Sequence, residues 1–170
     1  MSVTGKELQN KQLISVTDGK KVGEIKELYL DAGATRVTAV LLSKEGVIRR
    51  KTWVIERSAI QVCGIDAWLV SGSDKGIELD DVAGSDAFIP LNDLHGREIQ
   101  TEGGSKIGTI GDIILDGEAR VLGFSLAKTY VQGALAEKKG IVREAITDLG
   151  DKDKPAVVDL PKAEAASLPE

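Results

Sequence analysis

His95 is the only histidine of the chain and Cys63 its only cysteine. Acid–base or nucleophilic chemistry therefore has few places to reside. An imidazole base needs an oriented partner, and a metal site needs several ligands at a fitting spacing. His95 stands in Leu94-His95-Gly96 and reads as a turn residue. Cys63 lies in the apolar run Ile60-Gln-Val-Cys-Gly-Ile65, where a thiol behaves as a small hydrophobe. A single cysteine also excludes an internal disulfide. The stretch Gly103-Gly104-Ser-Lys-Ile-Gly108 has the look of a phosphate loop, but it lacks the required glycine–lysine order and no helix follows it. It reads as a hairpin. Asp31 and Asp116 each head a turn (Asp31-Ala-Gly33, Asp116-Gly117) and read as turn formers, not as a paired acid and base. The expectation is no catalytic residue, no cofactor, no metal site and no small-molecule substrate, hence no enzyme.

Binding chemistry is better represented. Arg49-Arg50-Lys51, with Lys44 close by, forms a basic cluster that could touch anionic headgroups, RNA phosphates or an acidic protein face. The plain alternative is a solvated hairpin tip. Trp53 follows directly, and in a chain with 4% aromatic residues Trp53 and Trp68 are expected to anchor a core or an interface. A second candidate surface is the loop Lys128–Gly140, with Tyr130, Val131, Ala134 and Leu135 as its apolar members. The candidate interaction surface is thus Lys44, Arg49, Arg50, Lys51, Trp53, Tyr130 and Leu135.

Net charge limits the partners. The chain carries −5, and residues 1–85 hold 12 Lys/Arg against 12 Asp/Glu while residues 86–170 hold 10 against 15. An acidic balance argues against an obligate nucleic-acid binder. No basic segment followed by an apolar stretch opens the chain, and no apolar run approaches a membrane span. The expectation is a cytoplasmic protein, with room for a peripheral contact at the inner face of a membrane. Protein partners, including a second copy in a homodimer, fit this balance.

The elements that would position these residues come from a repeat. Ile14, Gly19, Lys21, Gly23, Ile25, Leu30 and Asp31 recur 85 residues later as Ile99, Gly104, Lys106, Gly108, Ile110, Leu115 and Asp116. Arg36-Val37 returns as Arg120-Val121, and Arg57, Ala59, Ile60 and Gly64 return as Arg143, Ala145, Ile146 and Gly150. Ordered blocks with slightly different offsets indicate a duplicated module with loop indels. Within each unit the periodicity is that of short strands, with Asp18-Gly19 and Gly103-Gly104 as hairpin turns. Ser58-Ala-Ile60 and Glu144-Ala-Ile146 allow only a helical turn. These patterns predict an all-β protein of two small antiparallel barrels in tandem. One module covers 1–75, a linker 76–88, the second module 89–160 and a mobile tail 161–170. Ile77, Leu79, Val82 and Phe88 could pin the linker onto a barrel. Duplication implies that each module folds alone, although 75 to 80 residues give only a thin core.

Each unit resembles the PRC-barrel domain. The resemblance is carried by an opening Leu-x5-Ile, an Asp-Gly or Gly-Gly turn, Lys-(Val/Ile)-Gly-x-Ile-x4-Leu-Asp, an Arg-Val strand and a closing Ala-Ile-x3-Gly. It covers nearly the whole chain and carries no chemistry. PRC-barrels occur in the H subunit of photosynthetic reaction centres, in the ribosome maturation factor RimM and in short proteins implicated in cell division. The resemblance implies a non-catalytic adaptor docking onto a larger assembly, of photosynthetic or cell-division type. The alternative it implies is a ribosome- or RNA-linked module like RimM.

Overall fold

Glycine and aspartate turns cut this chain into strands too short to stand alone, so the fold depends on how they pair. The computed structural model describes residues 2–45 and 51–168. The first unit runs β1 (Val3–Thr4), α1 (Gly5–Leu8), β2 (Gln12–Ser15), β3 (Lys21–Glu24), β4 (Glu27–Leu30), β5 (Val37–Glu45), β6 (Lys51–Glu56), β7 (Ile60–Cys63) and β8 (Ala67–Val70). Next comes β9 (Ile77–Glu78). The second unit runs β10 (Ile89–Pro90), α2 (Leu91–Leu94), β11 (Glu98–Thr101), β12 (Lys106–Leu115), β13 (Val121–Thr129), α3 (Ala134–Lys138), β14 (Gly140–Val142), β15 (Ile146–Asp148), β16 (Ala156–Val158) and α4 (Leu160–Ala165).

The two units share one plan. In the second, the sheet order is β14-β13-β12-β11-β16-β15, with the long β12 bent by register shifts. In the first, the counterpart of β12 is broken at Ile25-Lys26 into β3 and β4. The sheet accordingly divides into β10-β4-β5-β6-β9 and β3-β2-β8-β7. The turns match as well. Gly19 and Gly104 close the hairpins at φ +70° and +90°, while Asn10 (φ +67°) and Gly96 (φ +81°) follow α1 and α2. Their amides bond to the Ile25 and Ile110 carbonyls at 2.7 and 2.8 Å. α1 is fixed by a reciprocal cap, Glu7 N to Thr4 Oγ1 and Thr4 N to Glu7 Oε2.

One residue of the repeat shifts in three dimensions. Leu13 pairs with Gly23 and Trp68, and Ile99 pairs with Gly108 and Ala156. Leu13, not Ile14, is therefore the counterpart of Ile99, and both are fully buried. Ile14 corresponds to Gln100, and the hairpin of the first unit is one residue longer.

The units are joined by exchange. β1 of the first pairs with β12 of the second (Val3 opposite Leu115, Thr4 opposite Ile114). β10 of the second pairs with β4 of the first (Ile89 opposite Leu30, Pro90 opposite Tyr29). At the start of each helix, Lys6 N donates to Asp112 Oδ2 at 2.9 Å and Asn92 N donates to Glu27 Oε2 at 3.3 Å. Arg57 Nη2 donates to the Glu118 carbonyl at 3.2 Å, and Arg143 Nε to the Gly33 carbonyl at 2.9 Å. At the centre Arg36 and Arg120 face each other across an antiparallel bridge. Val37 N donates to the Ala119 carbonyl at 2.9 Å, and Val121 N to the Thr35 carbonyl at 2.8 Å. Each contact has its mirror, which is the pattern of an isologous twofold interface within one chain. A single apolar cluster consequently runs from Leu8, Leu13 and Trp68 through Leu94, Ile99 and Phe124.

The stretch expected as a linker is pinned by its apolar residues, and the tail expected to be mobile packs as far as Leu168. β9 pairs with β6, and Ile77, Leu79, Val82 and Phe88 cover Tyr29, Ala39, Leu41 and Val54 on the outer face of the first unit. In the second unit α4 is capped by the Asp159 side chain, buries Ala163, and is followed by Leu168 lying over Gly123 and Gly140. Apolar residues at the right spacing hold both segments where a polar sequence would have left them free.

Two outcomes follow from the shared core. Residues 1–85 alone should not persist as a folded monomer. Light scattering coupled to size exclusion should find a dimer or an unfolded chain, whereas a folded monomer would show that the exchange is dispensable. Arg143→Met should strip the Gly33 and Ile146 carbonyls of their donors. The expected loss is about 1–3 kcal/mol per carbonyl left unpaired, measured by urea unfolding.

Candidate interaction surfaces

The residues singled out for chemistry are occupied with structure. His95 is exposed, and its Nδ1 lies 2.6 Å from the Gly111 carbonyl. Cys63 is half-buried, and burial pushes its thiol up from the ordinary value. Asp31 accepts from Thr35 N at 2.6 Å, Thr35 Oγ1 at 2.5 Å and Arg36 N at 3.3 Å. Asp116 accepts from Glu118 N, Arg120 N and Arg120 Nε at 2.8 to 3.0 Å. Each aspartate closes its own turn. Ala34 (φ +50°) and Ala119 (φ +61°) sit in those turns in the left-handed region, buried at the unit boundary. Among the described residues, no group of three or more His, Cys, Asp and Glu side chains could hold a metal ion. Among them, too, no helix is long and apolar enough to cross a membrane.

The expected binding residues do not form one patch. Lys44 and Lys51 are exposed at the end of the β5–β6 pair that adjoins residues 46–50, and Arg49 and Arg50 lie outside the described residues. Trp53 is half-buried on β6, paired with Ser43 on one side and Glu78 of β9 on the other. Trp68 is a core residue at 1% exposure. Tyr130 is exposed at the end of β13. Leu135 corrects the expectation: it is 1% exposed and belongs to the core. α3 turns it inward, so this loop is anchored and does not offer Leu135 to a partner.

A different surface emerges from the sheet registers. On the outer face of β3-β2-β8-β7, Lys21, Ile14, Leu69 and Val62 stand opposite one another in a row across four strands. In-register partners on neighbouring strands project from the same face. Val62, together with Val16 just past β2 and Ile65 in the turn between β7 and β8, is exposed; the three are 43% (Val16), 48% (Val62) and 68% (Ile65) exposed. The corresponding row of the second unit reads Lys106, Gln100, Val157 and Asp148. The duplicated scaffold therefore presents an apolar row on one unit and a polar row on the other. β7 is moreover an edge strand.

Sequence inspection alone missed this row. Leu13 and Ile14 are adjacent and both apolar, so alternation does not say which one faces out.

A model of the PRC-barrel domain matches residues 2–75 and again residues 86–161. No curated protein matches the chain significantly.

The carboxylates make one prediction here. Burial raises Asp31 and Asp116, but the donors around them outweigh it and hold both below the usual 3.8. Carboxyls with a depressed folded value stabilise fully above the unfolded value, and that contribution is lost as pH falls through the folded one. Thermal midpoints should thus hold steady from neutrality to about pH 5 and drop below about pH 4. Asp31→Asn with Asp116→Asn should lower the midpoint at pH 7 and flatten this acid limb. An unchanged acid limb would show that other groups carry it.

Proposed function

The chain belongs to the PRC-barrel domain family, with two copies of the domain in tandem, and from that premise we propose that it is a non-catalytic adaptor whose first unit docks a protein partner. The observation that supports this reading is the apolar row of half-buried Ile14 and Leu69 with exposed Val62, on the unit that also exposes Val16 and Ile65. Contiguous apolar area on a soluble domain marks a contact site more often than a scattered exposed side chain does. The row ends at β7, whose outer side pairs with no other strand among the described residues. An extended segment of a partner could add beside β7 by main-chain bonds and place alternate side chains over the row.

The second unit has the same backbone but carries Gln100 and Asp148 where the first carries Ile14 and Val62. Water solvates that face, and it makes no comparable demand for a partner. The second unit serves instead as the structural complement that completes the core of the first. The acidic surplus of residues 86–170 keeps the assembly soluble while the apolar face waits for its partner.

The test is differential capture. The tagged protein and its Val62→Lys/Ile65→Lys variant are passed through native extract, with Asp148→Lys as a control at the counterpart of Val62. Specific proteins retained by the parent and the control should be lost with the double variant, at unchanged thermal midpoint. Identical capture by all three would overturn the assignment of this face.

A further inference from the structure

Where the twofold relation passes through the chain, two like charges are forced together. Arg36 and Arg120 occupy directly opposed positions of the antiparallel bridge, clamped by the Val37 N–Ala119 O and Val121 N–Thr35 O bonds. Directly opposed like charges are unfavourable in a ladder, and their side chains leave the same face. Local conflicts of this kind in an otherwise consistent fold tend to mark sites.

A third guanidinium is brought to the same place. Arg57 is held by the Ile60 carbonyl at 2.8 Å and the Glu118 carbonyl at 3.2 Å, so its position is fixed from both units. Arg36, Arg57 and Arg120, with Val37 and Glu118, line one shallow recess. The compensating acids are mostly spent. Asp31 is saturated by Thr35 and Arg36 amide donors and by the Thr35 hydroxyl. Asp116 is engaged by two turn amides and by Arg120 Nε. Glu118 is 3.6 Å from Arg57 but its side chain is 71% exposed and can swing away. Among the described residues Arg36 has no ion pair.

We propose that this recess binds a tetrahedral oxyanion of the phosphate class between Arg36, Arg57 and Arg120. Arg36 and Arg120 enter from the bridge and Arg57 from the turn after β6. Arg36 offers a whole guanidinium fork, and Arg57 and Arg120 offer the N–H groups left over from their carbonyl and Asp116 bonds. Such a three-sided display of donors suits a tetrahedral ion better than a planar carboxylate. Bound there, the anion would relieve the repulsion at the bridge and tie the two units together. The site is independent of the apolar face on β2, β8 and β7.

Titration calorimetry of the whole protein with inorganic phosphate, at ionic strength held constant with sodium chloride, tests the site. Saturable one-to-one binding is expected, weakened roughly tenfold or more by Arg36→Gln or Arg120→Gln, in line with the loss of one charged hydrogen-bonding group. Lys128→Gln, an exposed charge elsewhere on the second unit, should leave it unchanged. Phosphate should also raise the thermal midpoint of the parent and not that of the double variant. Glycerol 3-phosphate in parallel separates the two sources: binding of both ions points to an esterified phosphate group, and binding of inorganic phosphate alone to the free ion. Absence of saturable binding, or equal binding by the Arg36→Gln/Arg120→Gln protein, would overturn the proposal. Because both arginines are exposed, their loss should leave the fold intact, and the midpoint without phosphate monitors that.

Discussion

The reciprocal exchange of opening segments is the constraint on which everything else rests. Neither unit completes its own sheet: β4 takes β10 from the second, and β12 takes β1 from the first. The helices that follow these strands are then fixed by carboxylates of the opposite unit, Asp112 for α1 and Glu27 for α2. Since Leu8 and Leu94 are carried on those helices and both are buried, the exchange also delivers core residues. What looks like two thin cores is one cluster. Such merging suits a chain poor in aromatic residues, because small domains bury a smaller share of their surface.

The plan of each unit was legible in the sequence because its signals are local. Hairpin glycines, the Asp-headed turns and short β-branched runs name their own conformations. Pairing between units is not local. Val3 and Ile89 show β propensity, but nothing in their neighbourhood states that the partner strand lies in the other unit. Ala34 and Ala119 give no hint of a left-handed backbone either, since that geometry is imposed by the Asp31 and Asp116 turns around them. The slip between Ile14 and Leu13 has the same origin. Where neighbouring residues are both apolar, a shift of one position exchanges inside for outside without changing the pattern. The candidate surface suffered most. Leu135 was drawn outward by its place in a polar loop, and the row Ile14, Leu69, Val62 exists only once three separate strands are in register.

Duplication also left two equivalent faces that each needed a cover. The first unit presents Tyr29, Ala39, Leu41 and Val54, and the chain passing between the units supplies Ile77, Leu79 and Val82. The second has Gly123 and Gly140 on the corresponding strands, and Leu168 settles into the space their missing side chains leave. A Cβ at Gly123 would collide with the Ile141 carbonyl and with Leu168. The first unit thus meets its cover with side chains on its strands, and the second with side chains missing from its strands.

The connection between β8 and β10 has a further meaning. An isologous pair of separate chains depends on concentration, and both members must change together because each substitution appears twice. Covalent linkage makes the pairing of the halves intramolecular, so dilution no longer separates them. It also breaks the identity of the halves. One side of the interface can be held constant for assembly while the other drifts, and Val62 and Asp148, equivalent in place and opposite in character, are the visible product of that released symmetry.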